Sequence, residues 1–339
     1  MFPWVWLKFL LCLVIILFAR TKLARYGDII AEKTGMGRIW IGLVLLALIT
    51  SMPELTTGIS CVALVKIPDL AMGTLLGSCL FNLLILALLD VIHRRTPILT
   101  KASVSHIMSA GAGILLIALA AGSIFAGEGF SGLALGWVGV PSILLIILYL
   151  AAVRQMFRFE RKRQSASPSD KPLQYGDVSM RIVWLKFAFT SAAVIGAGIW
   201  LAYIGDEIAQ VTGLGASFVG SLFLAFTTSM PELALTVAAV RMGAIDMAVA
   251  DILGANMINI AKIFILDLFY TQGSLISSVS NSHLITAIVA IVMTLIVIVA
   301  LRFRQRRKTF VVISWYAVAL IMLYIVGAYL LFTSGITIG

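Results

Sequence analysis

The pentapeptide TSMPE occurs twice in this sequence, at residues 50–54 and again at residues 228–232. Both copies lie inside long apolar runs, where a proline and a carboxylate are costly. When residue i is set against residue i+178, residues 27–54 match residues 205–232 at 15 of 28 positions, including glycines, threonines and glutamates. Chance similarity between apolar segments does not produce such matches, so the chain is predicted to contain an internal repeat.

The composition indicates whether the protein lies in water or in a membrane. Of 339 residues, 61% are hydrophobic and only 12% are charged, and the mean hydropathy is +1.08. A soluble core cannot hide that much apolar surface, so an all-α polytopic membrane protein is predicted. The net charge of +10 falls in short basic clusters between apolar runs, which the positive-inside rule explains without a nucleic-acid partner. The three cysteines show no CxxC spacing, which disfavours a disulfide framework or a zinc site.

Ten apolar segments follow one another along the chain, each near the ~20 residues that cross a bilayer core. They span about 4–19, 39–65, 69–91, 103–126, 133–153, 183–203, 215–240, 246–270, 284–301 and 310–332. A long polar stretch containing FERKRQSASPSDKP separates the fifth segment from the sixth. The predicted organisation is a first five-helix repeat over 1–153, a basic cytoplasmic linker over 154–181 and a second five-helix repeat over 182–339.

The basic residues orient these segments. Of the 25 Lys and Arg residues, 22 follow odd-numbered segments or lie at the adjoining helix ends, which predicts cytoplasmic odd connections and both chain ends outside. Arg20, Lys22 and Arg25 come after the first segment and mark it as a retained helix rather than a signal peptide. An odd number of segments per repeat makes the second repeat cross in the opposite sense. Arg20 accordingly aligns with the uncharged Gly198, and an inverted repeat is predicted.

Polar groups recur at matched places in the two repeats. Pro53 and Pro231 each remove a backbone donor, which is predicted to leave carbonyl groups near Ala47 and Ala225 free to coordinate a cation. Side chains four residues apart lie on one helical face. This spacing predicts three stripes, formed by Thr50, Ser51 and Glu54, by Thr74, Ser78 and Asn82, and by Asp251, Ala255 and Asn259. Carboxylate, hydroxyl, amide and carbonyl oxygens are hard ligands that suit Ca²⁺ and Na⁺.

The two motifs, TSxPE followed by a GSxxxN-like element, resemble the cation/calcium exchangers, the family that includes the sodium/calcium exchangers. The resemblance covers both halves of the chain. It implies ten transmembrane helices in two inverted halves, with the second and third helices of each half lining the ions. It also implies a transporter rather than an enzyme, without a cofactor, that exchanges Ca²⁺ for Na⁺, or in some branches for H⁺ or with K⁺ co-transport.

The resemblance also implies a set of ion ligands. In this sequence the family positions are Thr50, Ser51, Glu54, Ser78, Asn82, Thr228, Ser229, Glu232 and Asn259. The chain departs from the family pattern where Thr74 and Asp251 replace an asparagine and where Ala255 replaces a serine. A hydroxyl taken alone more often bonds to the carbonyl four residues before it than to an ion. The two glutamates are expected to be functional, since carboxylates inside a membrane are expensive and here occur at symmetric positions.

Lys262 lies on the stripe of Asp251 and Asn259, where the first repeat has Ile85. One interpretation is that its long side chain reaches the interface or pairs with Asp267. The alternative is that its ammonium group occupies the place of one monovalent ion, which would shift the stoichiometry or favour protons over sodium.

The charge of the two glutamates favours exchange over leakage. An ionised carboxylate near the bilayer centre costs about 2.5–3.5 kcal/mol, and two facing each other add repulsion unless a cation or protons intervene. One Ca²⁺, two protons or at least two Na⁺ ions would neutralise the pair.

Two alternatives from other classes of function are an intramembrane hydrolase and a passive cation channel. A hydrolase would also place acids in helices, but the sequence has no HExxH motif. The expected location is the plasma membrane.

Overall fold

The computed structural model of the protein describes residues 2–33, 51–93, 96–127, 129, 133–164, 179–305, 307–310 and 312–336, apart from the side chains of 31–33, 160–164 and 336. The helices are α1 (Phe2–Lys33), α2 (Met52–Val65), α3 (Pro68–Ile92), α4 (His106–Phe125), α5 (Val140–Gln164), α6 (Met180–Thr212), α7 (Ala216–Arg241), α8 (Ile245–Phe269), α9 (His283–Phe303) and α10 (Trp315–Ile336). Two short strands, β1 (Ala134–Leu135) and β2 (Val138–Gly139), pair antiparallel before α5.

The helices agree with the predicted apolar segments. Within the described part of the chain, nine of them are long and apolar enough to cross a membrane. The remaining helix, α2, is shorter, and residues 39–50 of the segment predicted there lie outside the described residues. The prediction of an all-α membrane protein built from two inverted five-helix repeats is confirmed.

The first helix is longer than its sequence predicts. The apolar segment ends at about residue 19, whereas α1 continues without a break to Lys33. Arginine and lysine are good helix formers, so basic residues alone do not end a helix. Arg20 lies inside α1 and is only 2% exposed, and its assignment to a cytoplasmic connection is therefore wrong. Helix α5 likewise continues into the predicted linker, to Gln164, and α6 begins at Met180.

Equivalent helices of the two repeats pack against each other. Helix α1 packs on α6, α3 on α8, and α4 on α9. The packing is also crosswise, because α1 contacts α7 and α6 contacts α2. The first helix of each repeat therefore covers the TSMPE helix of the other repeat.

Close backbone contact brings α3 against α7. Helix α7 is α-helical over Ala216–Val219 and Ala225–Arg241, with a π-helical turn over Gly220–Leu224 between them. A Cβ atom at Gly73 of α3 would lie 2.8 Å from the backbone carbonyl oxygen of Ser217. Since only a residue without a Cβ fits there, glycine lets the polar stripe of α3 approach the second repeat directly.

Two Asp–His pairs tie the repeats together, one at the start of α3 and one at the start of α8. Asp69 of α3 accepts from the backbone N–H of Ser280 at 2.8 Å and lies 2.9 Å from Nε2 of His283, which begins α9. Asp246 of α8 makes the equivalent contacts with the SVSH stretch that opens α4, at 2.6 Å to a backbone N–H and 2.8 Å to His106 Nε2. Because α3 and α8 run in opposite senses, the two pairs lie at opposite ends of the bundle.

Two buried aspartates organise the other ends of α3 and α8. Asp90 accepts from the backbone N–H of Ile98 at 3.0 Å, and Asp267 accepts from that of Leu275 at 2.7 Å. Both carboxylates are 0% exposed. Each one satisfies the backbone of the connection that follows its own helix, so these carboxylates have a structural role.

Candidate functional site

The glutamates of the two TSMPE copies meet inside the protein. Glu54 lies in the first turn of α2 and is 1% exposed, and Glu232 lies in α7 and is 5% exposed. Their carboxyl groups interact electrostatically with each other. Two buried acids from oppositely oriented repeats therefore share one place, which is the arrangement that the repeated motif predicts.

The backbone around the second motif differs from the expected break at the proline. Helix α7 continues through Pro231, and its irregular part is the π-helical turn that ends just before Ala225. The Thr228 hydroxyl donates to the carbonyl oxygens of Leu224 at 3.1 Å and Ala225 at 3.3 Å. The Ala225 carbonyl thus already has a hydroxyl partner.

The first motif is only partly described. Ala47 and Thr50 lie outside the described residues. Ser51 directly precedes α2 and is buried. The predicted first-repeat stripe is therefore placed only through Ser51 and Glu54.

The stripe on α3 is buried along its whole length. Thr74 donates to the Leu70 carbonyl at 2.7 Å, which is the ordinary bond of a helical hydroxyl. The Ser78 Oγ and Asn82 Oδ1 atoms are buried and have no hydrogen-bond partner among the described residues. Asn82 instead donates through Nδ2 to Asn256 Oδ1 at 3.0 Å.

Asn256 bridges the third helices of the two repeats. Besides accepting from Asn82, it donates through Nδ2 to the Cys79 carbonyl at 3.3 Å. Sequence reasoning missed this residue because the stripe that it considered on α8 follows Asp251, Ala255 and Asn259. The available signal was its alignment with Cys79, at a place where the family element usually has asparagine.

The predicted residues of the second repeat differ in burial and in hydrogen bonding. The Ser229 Oγ atom is buried and has no hydrogen-bond partner within the described ranges. Asn259 is buried and accepts from Lys262 Nζ at 2.8 Å. Asp251 is exposed and interacts electrostatically with Arg20, so it lies at the edge of the site rather than among the buried oxygens.

An arginine from α1 enters this site. The Arg20 guanidinium donates through Nη1 and Nη2 to the two carboxylate oxygens of Glu232, a bidentate geometry that suits arginine. Arg20 also interacts electrostatically with Glu54. Sequence reasoning missed Arg20 because a basic residue after an apolar run was interpreted as the end of the helix. The usable signal was the absence of proline and glycine between it and Gly27.

A second basic group lies beside Glu54. Lys262 Nζ is 4.0 Å from Glu54 Oε2, in addition to its bond with Asn259. The interpretation that Lys262 pairs with Asp267 is wrong, because the Asp267 carboxylate binds Gly139, Ser142 and Leu275 instead. Both glutamates of the site therefore have a basic neighbour.

Comparison with known proteins identifies the family. Residues 4–156 and 182–333 match the family described as Sodium/calcium exchanger protein. The chain belongs to this family. The two matched blocks correspond to the two repeats and leave out the polar stretch between them. The family-level prediction is thus confirmed, and this exchanger is a multi-pass integral membrane protein of a transporter family that moves Ca²⁺ and other cations.

Curated relatives of this exchanger come from bacteria and archaea. It is 25% identical over 278 residues to the inner membrane protein YrbG of Escherichia coli, covering 78% of this chain and 79% of that protein. It is 30% identical over 146 residues to the sodium/calcium exchanger MaX1 of Methanosarcina acetivorans, covering 42% of this chain and 38% of that one.

Solved structures share the fold of this exchanger at low sequence identity. The H⁺/Ca²⁺ exchanger CAX has a TM-score of 0.71 at 12% identity, with 98% of this chain and 86% of that chain covered. The sodium-calcium exchanger NCX_Mj, soaked with Na⁺ and Sr²⁺, has a TM-score of 0.60 at 19% identity, with 97% and 99% covered. The two neighbours use different coupling ions, so the likeness concerns the fold.

Proposed function

We propose that this protein is a secondary active antiporter that exchanges Ca²⁺ for Na⁺ by alternating access at the site of Glu54 and Glu232. The observation that carries the proposal is the meeting of these two buried carboxylates, one from each inverted repeat. In inverted-repeat transporters the ion site forms between the repeats, near the bilayer midplane. A divalent cation bound there neutralises both acids at once.

The other oxygens around the carboxylates support a hard cation as the substrate. Glu54 Oε2, Ser78 Oγ, Asn82 Oδ1 and Ser229 Oγ are buried without hydrogen-bond partners among the described residues. Buried polar atoms are otherwise nearly always bonded. Carboxylate, hydroxyl and amide oxygens are ligands that Ca²⁺ and Na⁺ accept, so we assign these four atoms to the transported ions, together with Thr50, Ser51, Thr228 and Asn259.

H⁺-coupled exchange is the second candidate. The carboxyl groups of Glu54 and Glu232 interact electrostatically, and two neighbouring acids can take up protons in place of metal ions. K⁺-dependent exchange is a further variant of the same cycle. The three versions differ in which gradient drives Ca²⁺ across the membrane.

The proposal includes an orientation. The distribution of lysine and arginine favours cytoplasmic odd-numbered connections, with both chain ends on the outer side of the plasma membrane. Reassigning Arg20 from a connection to the helix interior removes one residue from that distribution and leaves its bias in place. With an inward gradient of the coupling ion across that membrane, the antiporter exports Ca²⁺ from the cytoplasm.

The test is ⁴⁵Ca²⁺ uptake into proteoliposomes under separately imposed Na⁺, K⁺ and pH gradients. The protein is compared with Glu54→Gln, Glu232→Gln and the control Glu207→Gln, which changes a part-exposed glutamate of α6 paired with Lys8 at 2.8 Å. We expect uptake driven by the Na⁺ gradient, loss of uptake to background in the first two variants, and retention in the control. Uptake that no gradient drives, or that survives in both site variants, would contradict the proposal.

A further inference from the structure

Arg20 is built into the ion site as a permanently charged group. Its side chain is 3% exposed and that of Glu232 is 7% exposed, and its two terminal nitrogens bind both carboxylate oxygens of Glu232. A guanidinium stays protonated in proteins. A charged side chain inside a membrane-spanning bundle is costly and is retained where it has a function. Glu232 therefore has a tethered cation on both of its oxygens.

The fold itself does not require this arginine. The equivalent position in the second repeat is Gly198 of α6, which packs against α2, the helix that carries Glu54. A Cβ atom at Gly198 would lie 2.9 Å from Thr56 Cβ and 3.2 Å from the Thr57 backbone nitrogen, so a long side chain has no room there. The first helix of the first repeat thus gives Glu232 a cationic partner. The equivalent position on the first helix of the second repeat has no side chain that could reach Glu54.

The bidentate pair limits what else can bind Glu232. A metal ion that approaches this carboxylate must share its oxygens with the guanidinium, whose positive charge repels the ion. While the pair is intact, the charge of Glu232 is compensated without any dissolved cation. The transported ion and Arg20 are therefore alternatives at the same carboxylate.

Building on the proposed function, we propose that Arg20 is a specificity-determining residue that competes with transported cations for Glu232 and takes the place of one monovalent cation in the exchange cycle. When Ca²⁺ binds, it displaces the guanidinium. When Ca²⁺ leaves, the guanidinium returns to Glu232, where an additional Na⁺ or H⁺ would otherwise be needed. Two measurable quantities follow, the affinity for Ca²⁺ and the number of monovalent cations exchanged for each Ca²⁺.

The affinity is measured without transport, as binding of Ca²⁺ from CaCl2 to the detergent-solubilised full-length protein by calorimetry. A site that is mostly occupied by a competitor binds its ligand more weakly, in proportion to the free fraction. We expect Arg20→Gln to lower the Kd for Ca²⁺ by about tenfold or more. The matched control is Lys8→Gln, which removes a basic side chain from the same helix, where it is 41% exposed and paired with Glu207. The control is expected to keep the wild-type Kd.

The coupling ratio is measured in proteoliposomes at zero membrane voltage with the gradient that drives uptake in the preceding experiment. The Ca²⁺ gradient at which net ⁴⁵Ca²⁺ flux reverses reports the number of coupling ions. With a coupling-ion gradient of about tenfold, one extra ion moves this reversal point by about tenfold in the Ca²⁺ gradient. We expect that shift for Arg20→Gln and none for Lys8→Gln.

The outcomes separate the two proposals. A wild-type protein that neither binds Ca²⁺ nor accumulates it under any gradient refutes the proposed function. Gradient-driven uptake by the wild type, with an unchanged Kd and reversal point in Arg20→Gln, refutes only the role of Arg20. If Arg20→Gln does not fold, Arg20→Lys decides, because lysine keeps the charge but loses the planar fork. Its coupling ratio should then equal that of the wild type while its Kd falls several-fold, and an unchanged Kd refutes the competition.

Discussion

Glu54 and Glu232 occupy the same position in the two TSMPE copies, yet their basic neighbours come from different places. Glu232 is bound bidentately by Arg20 of α1, a helix of the other repeat. Glu54 lies 4.0 Å from Lys262 of α8, which is also in the other repeat but belongs to its third helix. The equivalents of these two basic residues are Gly198 and Ile85, neither of which carries a charge.

The two repeats therefore share a backbone scaffold but differ in the distribution of their charged side chains. The backbone features are matched, including the Asp–His pairs and the buried aspartates at the helix ends. The cations are added singly and on different helices. An inverted repeat can thus keep its symmetry for packing while each half tunes its own carboxylate.

The two glutamates should differ most in how much their replacement destabilises the protein. Glu232→Gln leaves the buried Arg20 charge without its carboxylate and should destabilise the protein by about 3–5 kcal/mol. Glu54→Gln removes a looser contact and relieves repulsion between the two acids, so a loss of about 1–2 kcal/mol is expected. The check is the thermal unfolding midpoint in detergent without Ca²⁺. The double variant Arg20→Gln with Glu232→Gln should recover part of the lost stability. Equal losses of stability in Glu232→Gln and Glu54→Gln would contradict the predicted difference between the two glutamates.

An intermediate effect is expected where the second repeat has glycine instead of arginine. In Gly198→Ala the added methyl group meets Thr56 and the α2 backbone, so destabilisation of about 1–3 kcal/mol is expected from overpacking. The control is Gly196→Ala on the same helix, where a Cβ would meet nothing within 4 Å. That variant should be stabilised by roughly 0.5–1 kcal/mol, because alanine is the better helix former. A Gly198→Ala protein as stable as the wild type would show that space does not exclude a side chain at this position.

The smallest effect compares the two Asp–His pairs. Asp69 is 28% exposed beside a fully buried His283, whereas Asp246 is 59% exposed. Water screens the more exposed pair, so Asp246→Asn should cost less than about 1 kcal/mol and Asp69→Asn about 1–2 kcal/mol. Unfolding midpoints of the two variants measured side by side test the order. A larger loss in Asp246→Asn would reverse it.

Much of the fold could be predicted because its signals are local. The apolar runs predict the spans, and the offset of 177–178 residues aligns helices that pack against each other. Spacing on helical faces and the repeated motif predict Glu54, Glu232, Ser78 and Asn82 as ligands, and all four residues are buried. The same offset would have found the paired SVSH and SNSH stretches at 103–106 and 280–283, whose histidines hold the two repeats together.

Other features could not be predicted, since they depend on which side chains meet. Arg20 was interpreted from its neighbours in sequence, which are apolar on one side and basic on the other. Its partner is 212 residues away, and no local pattern indicates such a contact. The hydrogen bonds of Asn256 to the first repeat could not be predicted for the same reason, because both of its partners belong to the distant helix α3.

Hydropathy and repetition, which act residue by residue along the chain, are enough to predict the membrane environment, the two inverted halves and the pair of intramembrane acids. Which cations neutralise those acids depends on tertiary packing, because a charge in a low-dielectric interior is governed by the few groups packed against it, and these groups come from helices far apart in the chain.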